Sequence, residues 1–83
     1  MSAIYYGVDL KATGENITRL RLKSGLTVRD IQSLVGLESP NAIYQWERGR
    51  NIPTVEHLMV LSHIFGVDIQ EIIVWSRTPD ANN

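Results

Sequence analysis

Apolar residues recur at intervals of three and four along most of the chain, and glycines follow several of the apolar runs. Such spacing predicts amphipathic helices that bury one face, and glycine is favoured immediately after a helix ends. We therefore predict five helices with short connections. The first begins at Thr13 and ends at Gly25, the second runs from Thr27 to Gly36, the third from Ser39 to Gly49, the fourth from Pro53 and Thr54 to Gly66, and the fifth from Asp68 to about Trp75.

The starts of the second and third helices carry capping residues. Thr27 is followed three positions later by Asp30, which is a short form of the capping box. Ser39 is predicted to cap the third helix, with Pro40 in its first turn, where a missing N–H costs nothing. These two starts delimit a pair of short helices joined by a tight link.

The two ends of the chain lack the helical spacing. Residues 1–12 are predicted to form an extended N-terminal arm, because the run "IYYGV" favours a strand. No second strand is predicted downstream, so the arm either packs on the domain or serves as a dimerisation strand. Residues 76–83 are predicted to be a flexible tail. The domain is then residues 13–75, an all-α, compact five-helix bundle.

Composition excludes several kinds of protein. The 83 residues fit one small domain, and the absence of cysteine excludes disulfides and thiolate metal sites. His57 and His63 are six residues apart, which does not suit a metal site, and no serine and histidine pattern indicates a nucleophile with its base. No apolar run approaches the ~18 residues that cross a bilayer. We expect a cytoplasmic protein with no membrane contact, catalysis, metal or cofactor.

Charge is divided unevenly along the chain, although the net charge is only −1. Residues 11–50 carry seven basic and four acidic residues, a net +3, whereas residues 51–83 carry one basic and four acidic residues, a net −3. A basic half of this kind is consistent with a surface for nucleic acid.

The third helix separates polar from apolar residues. Ile43 and Trp46 are three apart and are predicted to face the core together. Four residues at i, i+3, i+4 and i+7 line the opposite face: Asn41, Tyr44, Gln45 and Arg48. Amide side chains can read an adenine edge, and arginine suits guanine or phosphate. The spacing alone supports two interpretations of this face equally: a face that reads DNA, or the solvent-exposed face that any small helical bundle has.

The order of these elements resembles the Cro/phage-repressor (XRE-like) class of helix-turn-helix proteins over about residues 13–74. The resemblance rests on "NITRLRLKSGLTVRDIQSLVG", "IYQWERGR" followed by a proline, and "LSHIFGVDIQEI". Several spaced landmarks over most of the chain make it specific. It implies a bundle of the lambda-repressor-like type, in which residues of about 27–48 form the DNA-binding unit.

The resemblance also assigns roles to individual residues. It implies that Asn41 and Gln45 touch base edges, and that Arg21 and Glu47 form a partly buried ion pair that fixes the third helix. The expected DNA backbone contacts are Thr27, Arg29, Ser39, Tyr44, Arg48 and Arg50. This chain departs from the family where Val28 replaces a common glutamine and Gln32 replaces a small alanine.

The resulting prediction is a sequence-specific regulator of transcription that binds duplex DNA with the third helix, about residues 39–48, in the major groove. A domain this small is expected to act as a homodimer on a two-fold operator with half-sites roughly 34 Å apart. The dimer surface is either the N-terminal arm or the fifth helix with Trp75. The alternative is a protein-interaction module of the same fold, an antitoxin or anti-repressor partner that does not read DNA.

Overall fold

A bundle of five helices and a two-stranded ribbon make up residues 4–79. The computed structural model describes the backbone of residues 4–79 and the side chains of residues 7–76. The elements in chain order are β1 (Ile4–Val8), α1 (Leu10–Lys23), α2 (Val28–Val35), α3 (Asn41–Glu47), α4 (Val55–Phe65), α5 (Ile69–Ile72) and β2 (Trp75–Pro79). The predicted five-helix bundle is confirmed, and the ribbon is an addition to it.

Every helix contributes to one apolar core. The side chains buried most completely are those of Ile17 from α1, Ile31 from α2, Ile43 from α3, Leu61 from α4 and Ile72 from α5. Each lies on the stripe that the three- and four-residue spacing predicts, because a helix can bury only one face in a bundle of this size.

The first helix begins three residues earlier than predicted. Asp9 is its N-cap, and the Asp9 carboxylate accepts a hydrogen bond from the amide of Ala12 at 2.9 Å. The predicted start at Thr13 is wrong because Asp9 is also a favoured cap and gives the helix another turn. Thr13 instead lies buried within α1, where its Oγ1 accepts from the amide of Val74 at 2.9 Å.

Both predictions for the chain ends are corrected by the ribbon. β1 pairs antiparallel with β2, from Ile4 opposite Pro79 to Val8 opposite Trp75. The extended arm therefore has a downstream partner, and residues 76–79 are a strand rather than a flexible tail. The tail's last residues, 80–83, and the arm's first residues, 1–3, lie outside the described part of the chain.

The fifth helix is shorter than predicted. It ends at Ile72, and Ile73 already has the extended dihedrals φ −80° and ψ 126°, so Trp75 begins β2 instead of ending α5. Asn16 of α1 caps the C-terminal end of this short helix: its side-chain Nδ2 donates to the carbonyls of Glu71 at 2.6 Å and Ile72 at 2.9 Å. Carbonyls at a helix end have no partner within the helix, so a side chain from a neighbouring helix can satisfy them.

Candidate nucleic-acid interface

The first helix of the helix-turn-helix unit is fixed at its start by a complete capping box. The amide of Thr27 donates to the Asp30 carboxylate at 2.8 Å, and the amide of Asp30 donates to Thr27 Oγ1 at 3.1 Å. Hydrogen bonds from the backbone and side chain of Thr27 hold the pKa of Asp30 below its ordinary value. The predicted start of α2 is confirmed with its cap.

The turn between α2 and α3 explains the glutamine that departs from the family. Gly36 ends α2 with a φ of 83°, a left-handed conformation that favours glycine. The side-chain amide of Gln32 then donates to the carbonyl of Leu37 at 3.4 Å, and the amide of Leu37 donates to the carbonyl of Gln32 at 3.0 Å. Gln32 therefore ties the end of α2 to the turn, a contact that an alanine cannot make.

The start of α3 differs from the prediction. Pro40 occupies the N-cap position and makes no side-chain cap, while Ser39 Oγ accepts from the amide of Asn41 at 3.4 Å. Ser39 therefore lies one residue before the cap, because the restricted φ of Pro40 suits the flank of the helix as well as its first turn. Asn41 becomes the first residue of α3.

The predicted reading face lies on the outside of the molecule. Ile43 is fully buried and Trp46 nearly so, whereas Asn41, Tyr44 and Arg48 are exposed and Gln45 is half-buried. The guanidinium carbon of Arg48 lies 5.7 Å from the centre of the Tyr44 ring, within the range of a cation–π contact. Tyr44 thus helps to hold Arg48 along the exposed face.

The predicted backbone contacts lie partly together. Thr27, Arg29 and Tyr44 share one groove of about 600 Å³ at the start of α2, and its apolar wall includes Leu22 and Val28. The other expected backbone contacts, Ser39, Arg48 and Arg50, are exposed but do not line this groove.

An ion pair joins α1 to α3. Arg21 Nε lies 2.7 Å from Glu47 Oε2, and Arg21 Nη2 donates to Glu47 Oε1 at 3.2 Å. Arg21 also donates to the carbonyl of Leu26 at 3.0 Å, so its guanidinium links α1 and α3 to the turn that precedes α2. The hydrogen-bonded Glu47 carboxylate raises the pKa of Arg21 above its ordinary value. With side chains only 14% and 12% exposed, the pair restrains the end of α3.

Two glycines, Gly14 and Gly49, allow α1 and α3 to approach closely; the sequence predicts Gly49 as the end of the third helix, but it predicts neither close contact. A Cβ on Gly14 would lie 2.5 Å from the carbonyl oxygen of Trp46 and 2.8 Å from that of Glu47. A Cβ on Gly49 would lie 2.9 Å from the Cα of Lys11. The available signal was a glycine inside a predicted helix, which is unfavourable unless packing requires it.

The far side of α3 packs on α4 through an aromatic pair. The rings of Trp46 and His57 lie 5.7 Å apart at a tilt of 51°. His57 is thus a packing residue, and among the described residues no group of three acidic or histidine side chains is placed to hold a metal ion. None of the described helices is long and apolar enough to span a bilayer.

Comparison with known families decides the classification. The family model described as helix-turn-helix (HTH_3) matches residues 17–72, which span the second half of α1 and all of α2, α3, α4 and α5. The chain belongs to this helix-turn-helix family. The XRE-like resemblance is therefore confirmed, and α2 and α3 are the two helices for which the family is named. A search of curated proteins found no significant match.

Several solved structures share the fold of this chain. The restriction-modification controller protein C.AhdI of Aeromonas hydrophila is 23% identical, with 77% of this chain and 96% of that chain covered and a TM-score of 0.68. The clp gene regulator ClgR of C. glutamicum is 24% identical, with coverages of 80% and 84% and a TM-score of 0.66. The DNA-binding domain of BldD from S. venezulae is 24% identical, with coverages of 80% and 97% and a TM-score of 0.65.

Proposed function

We propose that the protein is a transcriptional regulator that binds duplex DNA in a sequence-specific manner through α3. The observation that carries the proposal is the outward face of α3 in a chain of the helix-turn-helix family, with Asn41 exposed at its start and Gln45 one turn later. The structural likeness to a domain described as DNA-binding, that of BldD, adds support.

In this proposal the beginning of α3 enters the major groove. Asn41 and Gln45 then face base edges, and an amide side chain donates to and accepts from adenine in a bidentate pair. The Arg21–Glu47 ion pair and the close approach at Gly14 fix the angle of α3 on the bundle, so the two amides are presented in one orientation.

Phosphate contacts supply the remaining affinity. Exposed cationic groups of Arg29, Arg48 and Arg50 lie on or beside the two helices of the unit, in the half of the chain with a net charge of +3. Thr27, Ser39 and Tyr44 add hydroxyl groups that can donate to phosphate oxygens. Because one copy covers little DNA, we propose that two copies bind a two-fold operator, each α3 occupying one half-site.

The first test is fluorescence anisotropy with random-sequence duplex DNA at low and then moderate salt. Affinity that falls steeply with salt is expected, because each phosphate contact releases counterions. Arg29→Ala should reduce the slope of log affinity against log salt by about 1. A folded protein that binds no duplex at the lowest salt contradicts the proposal.

Selection from a randomised duplex library then tests direct reading. On the selected sequence, Gln45→Ala should cost about 1–3 kcal/mol, while affinity for random duplexes stays unchanged. Gln70→Ala is the matched control, because Gln70 is an exposed glutamine on α5 away from α3. Equal losses in the two glutamine variants would remove Gln45 from the reading surface.

One observation favours a second candidate, a protein-interaction module of the same fold. The groove at the start of α2 has an apolar wall where Val28 stands and where Leu22 is 63% exposed. Such a wall fits an apolar side chain of a partner protein better than a phosphate. Anisotropy that shows no salt-dependent binding to duplex DNA would favour this candidate over DNA recognition.

A further inference from the structure

The ribbon has two open edges. Within residues 4–79, β1 and β2 pair only with each other, and no third strand joins either of them. Each strand has five residues. The backbone groups that point away from the partner strand are therefore available along both outer edges. A two-stranded ribbon is marginally stable by itself in water, whereas a sheet of three or more strands is better supported.

The two edges differ in the residues that discourage pairing. β2, with the sequence "WSRTP", contains Arg77 and ends in Pro79. A charge and a proline are the features that natural proteins place on exposed edges to prevent another strand from joining. β1, with the sequence "IYYGV", contains neither a charge nor a proline, and four of its residues are types enriched in strands. Only the β2 edge is protected.

We propose that β1 pairs antiparallel with β1 of a second copy of this chain, forming a four-stranded sheet in the order β2, β1, β1 of the partner, β2 of the partner. Antiparallel pairing of one strand with its own copy has two-fold symmetry, so the contact closes at a dimer and leaves the protected β2 strands at both edges. The inference rests on the homodimer of the proposed function and names its surface.

A second copy fits this edge better than an unrelated peptide. A symmetric pair contributes two equally unprotected strands of the same length, and the resulting sheet has the four strands that give an independent sheet its stability. Trp75, which lies opposite Val8 at the base of the ribbon, is 63% exposed in the single copy. Aromatic side chains reach diagonal neighbours on the adjacent strand, so Trp75 adds apolar surface beside β1, one strand away from the β1–β1 seam.

Among the side chains of residues 7–76, an exposed apolar patch beside and on α4 offers a competing dimer surface. Val55 and Met59 lie one turn apart on α4 and are 71% and 61% exposed, with Ile52 nearby in sequence and 37% exposed. A dimer through this patch would leave the ribbon edges open, so the two surfaces make different predictions.

Disulfide cross-linking of single-cysteine variants distinguishes the β1 edge from the α4 patch as the dimer surface, because the natural chain has no cysteine. Tyr5→Cys, Tyr6→Cys and Gly7→Cys are placed one at a time along the middle of β1. Their controls are the cross-strand partners on β2, namely Thr78→Cys, Arg77→Cys and Ser76→Cys. In a two-fold antiparallel pair, the residue nearest the axis lies opposite its own copy. The two β2 strands are three strand spacings apart, roughly 14 Å, which is beyond the reach of a disulfide.

The expected result is a disulfide-linked dimer for at least one β1 cysteine and for none of the three β2 cysteines, after mild oxidation and separation without reductant. The unmodified chain, measured by light scattering without DNA, should have twice its 9.4 kDa mass. Helical circular dichroism of each variant verifies that the bundle is folded.

Three results would overturn the inference. The first is a chain that is monomeric without DNA at every concentration tested, and the second is cross-linking of β2 cysteines as readily as β1 cysteines. The third is cross-linking of Met59→Cys in place of any β1 variant. No DNA is present in these three measurements. A chain that is monomeric here but binds duplex DNA by anisotropy refutes the β1–β1 interface and does not contradict the proposed DNA binding.

Discussion

Gly14→Ala tests how closely α1 and α3 must approach for the recognition helix to be held in place. The added methyl group would meet the carbonyl oxygens of Trp46 and Glu47 at 2.5 and 2.8 Å, and the amide nitrogen of Gly49 at 2.9 Å. All three are backbone atoms, so no side-chain rotation relieves the contact. The two helices must separate by several tenths of an ångström or more.

The size of the effect is the difference between two opposed contributions. Forcing a methyl group into a packed site costs typically 1–3 kcal/mol. Alanine within a helix is more favourable than glycine by roughly 0.5–1 kcal/mol. Central values of about 2 and about 0.8 kcal/mol leave a net destabilisation of about 1 kcal/mol, which for a domain of this size lowers the melting temperature by roughly 4–8 °C.

Thermal unfolding followed by circular dichroism measures this change, and DNA anisotropy measures whether α3 has moved. Glu15→Ala is the control, because Glu15 is the neighbour of Gly14 on α1 and its side chain is exposed. We expect weaker DNA binding and a lower melting temperature for Gly14→Ala alone. A Gly14→Ala variant more stable than the natural protein would refute the close-packing explanation, since the helix propensity gain of roughly 0.5–1 kcal/mol would then be opposed by no clash.

Three further predictions concern hydrogen-bonded groups. Glu47→Gln should reduce the free energy of unfolding by about 2 kcal/mol in urea titrations, because the guanidinium of Arg21 would keep its partly buried position without a counter-charge; an unchanged midpoint would show that the pair contributes nothing. Asn16→Ala should cost about 1–2 kcal/mol, since two carbonyls at the end of α5 lose their donor, while Gln70→Ala should have no effect. The pKa of Asp30 is lowered from 3.8 in the folded chain, so its contribution is present above that pH and is lost as the pH falls through the lower, folded-state pKa. The free energy of unfolding of Asp30→Asn, measured against pH, should therefore fall less in acid than that of the natural protein. Identical pH dependence in the two proteins would contradict this prediction.

The helices could be predicted from sequence because their signals are local. The Thr27 and Asp30 capping box, the left-handed Gly36 and the apolar spacing of α3 each involve residues within one or two turns. The alternation of α3 also predicts that Ile43 is buried and Asn41 exposed, as the structure has them. Local rules of this kind do not require knowledge of the neighbouring helices.

The ribbon could not be predicted in the same way. Its two strands lie at opposite ends of the chain, and each pairing partner supplies the hydrogen bonds that the other needs. Because the sequence shows no partner for β1, it predicts an extended arm in place of a paired strand. The isoleucines before Trp75 extend the predicted fifth helix to about Trp75, whereas α5 ends at Ile72. The roles of Gly14 and Asn16 cannot be predicted for the same reason. Gly14 contacts the backbone of α3, and Asn16 bonds to Glu71 and Ile72, which are distant in sequence.

The connection between α1 and the end of the chain has a consequence for the order of folding. Thr13 exchanges hydrogen bonds with Val74, which is 61 positions away in sequence, and the ribbon closes a still longer loop. Closing so long a loop is entropically unfavourable until the intervening helices have collapsed. We therefore expect the bundle to assemble first and the strands to pair last. The ribbon amides should then exchange with deuterium through local opening, whereas the amides of α1 and α3 should exchange only through global unfolding.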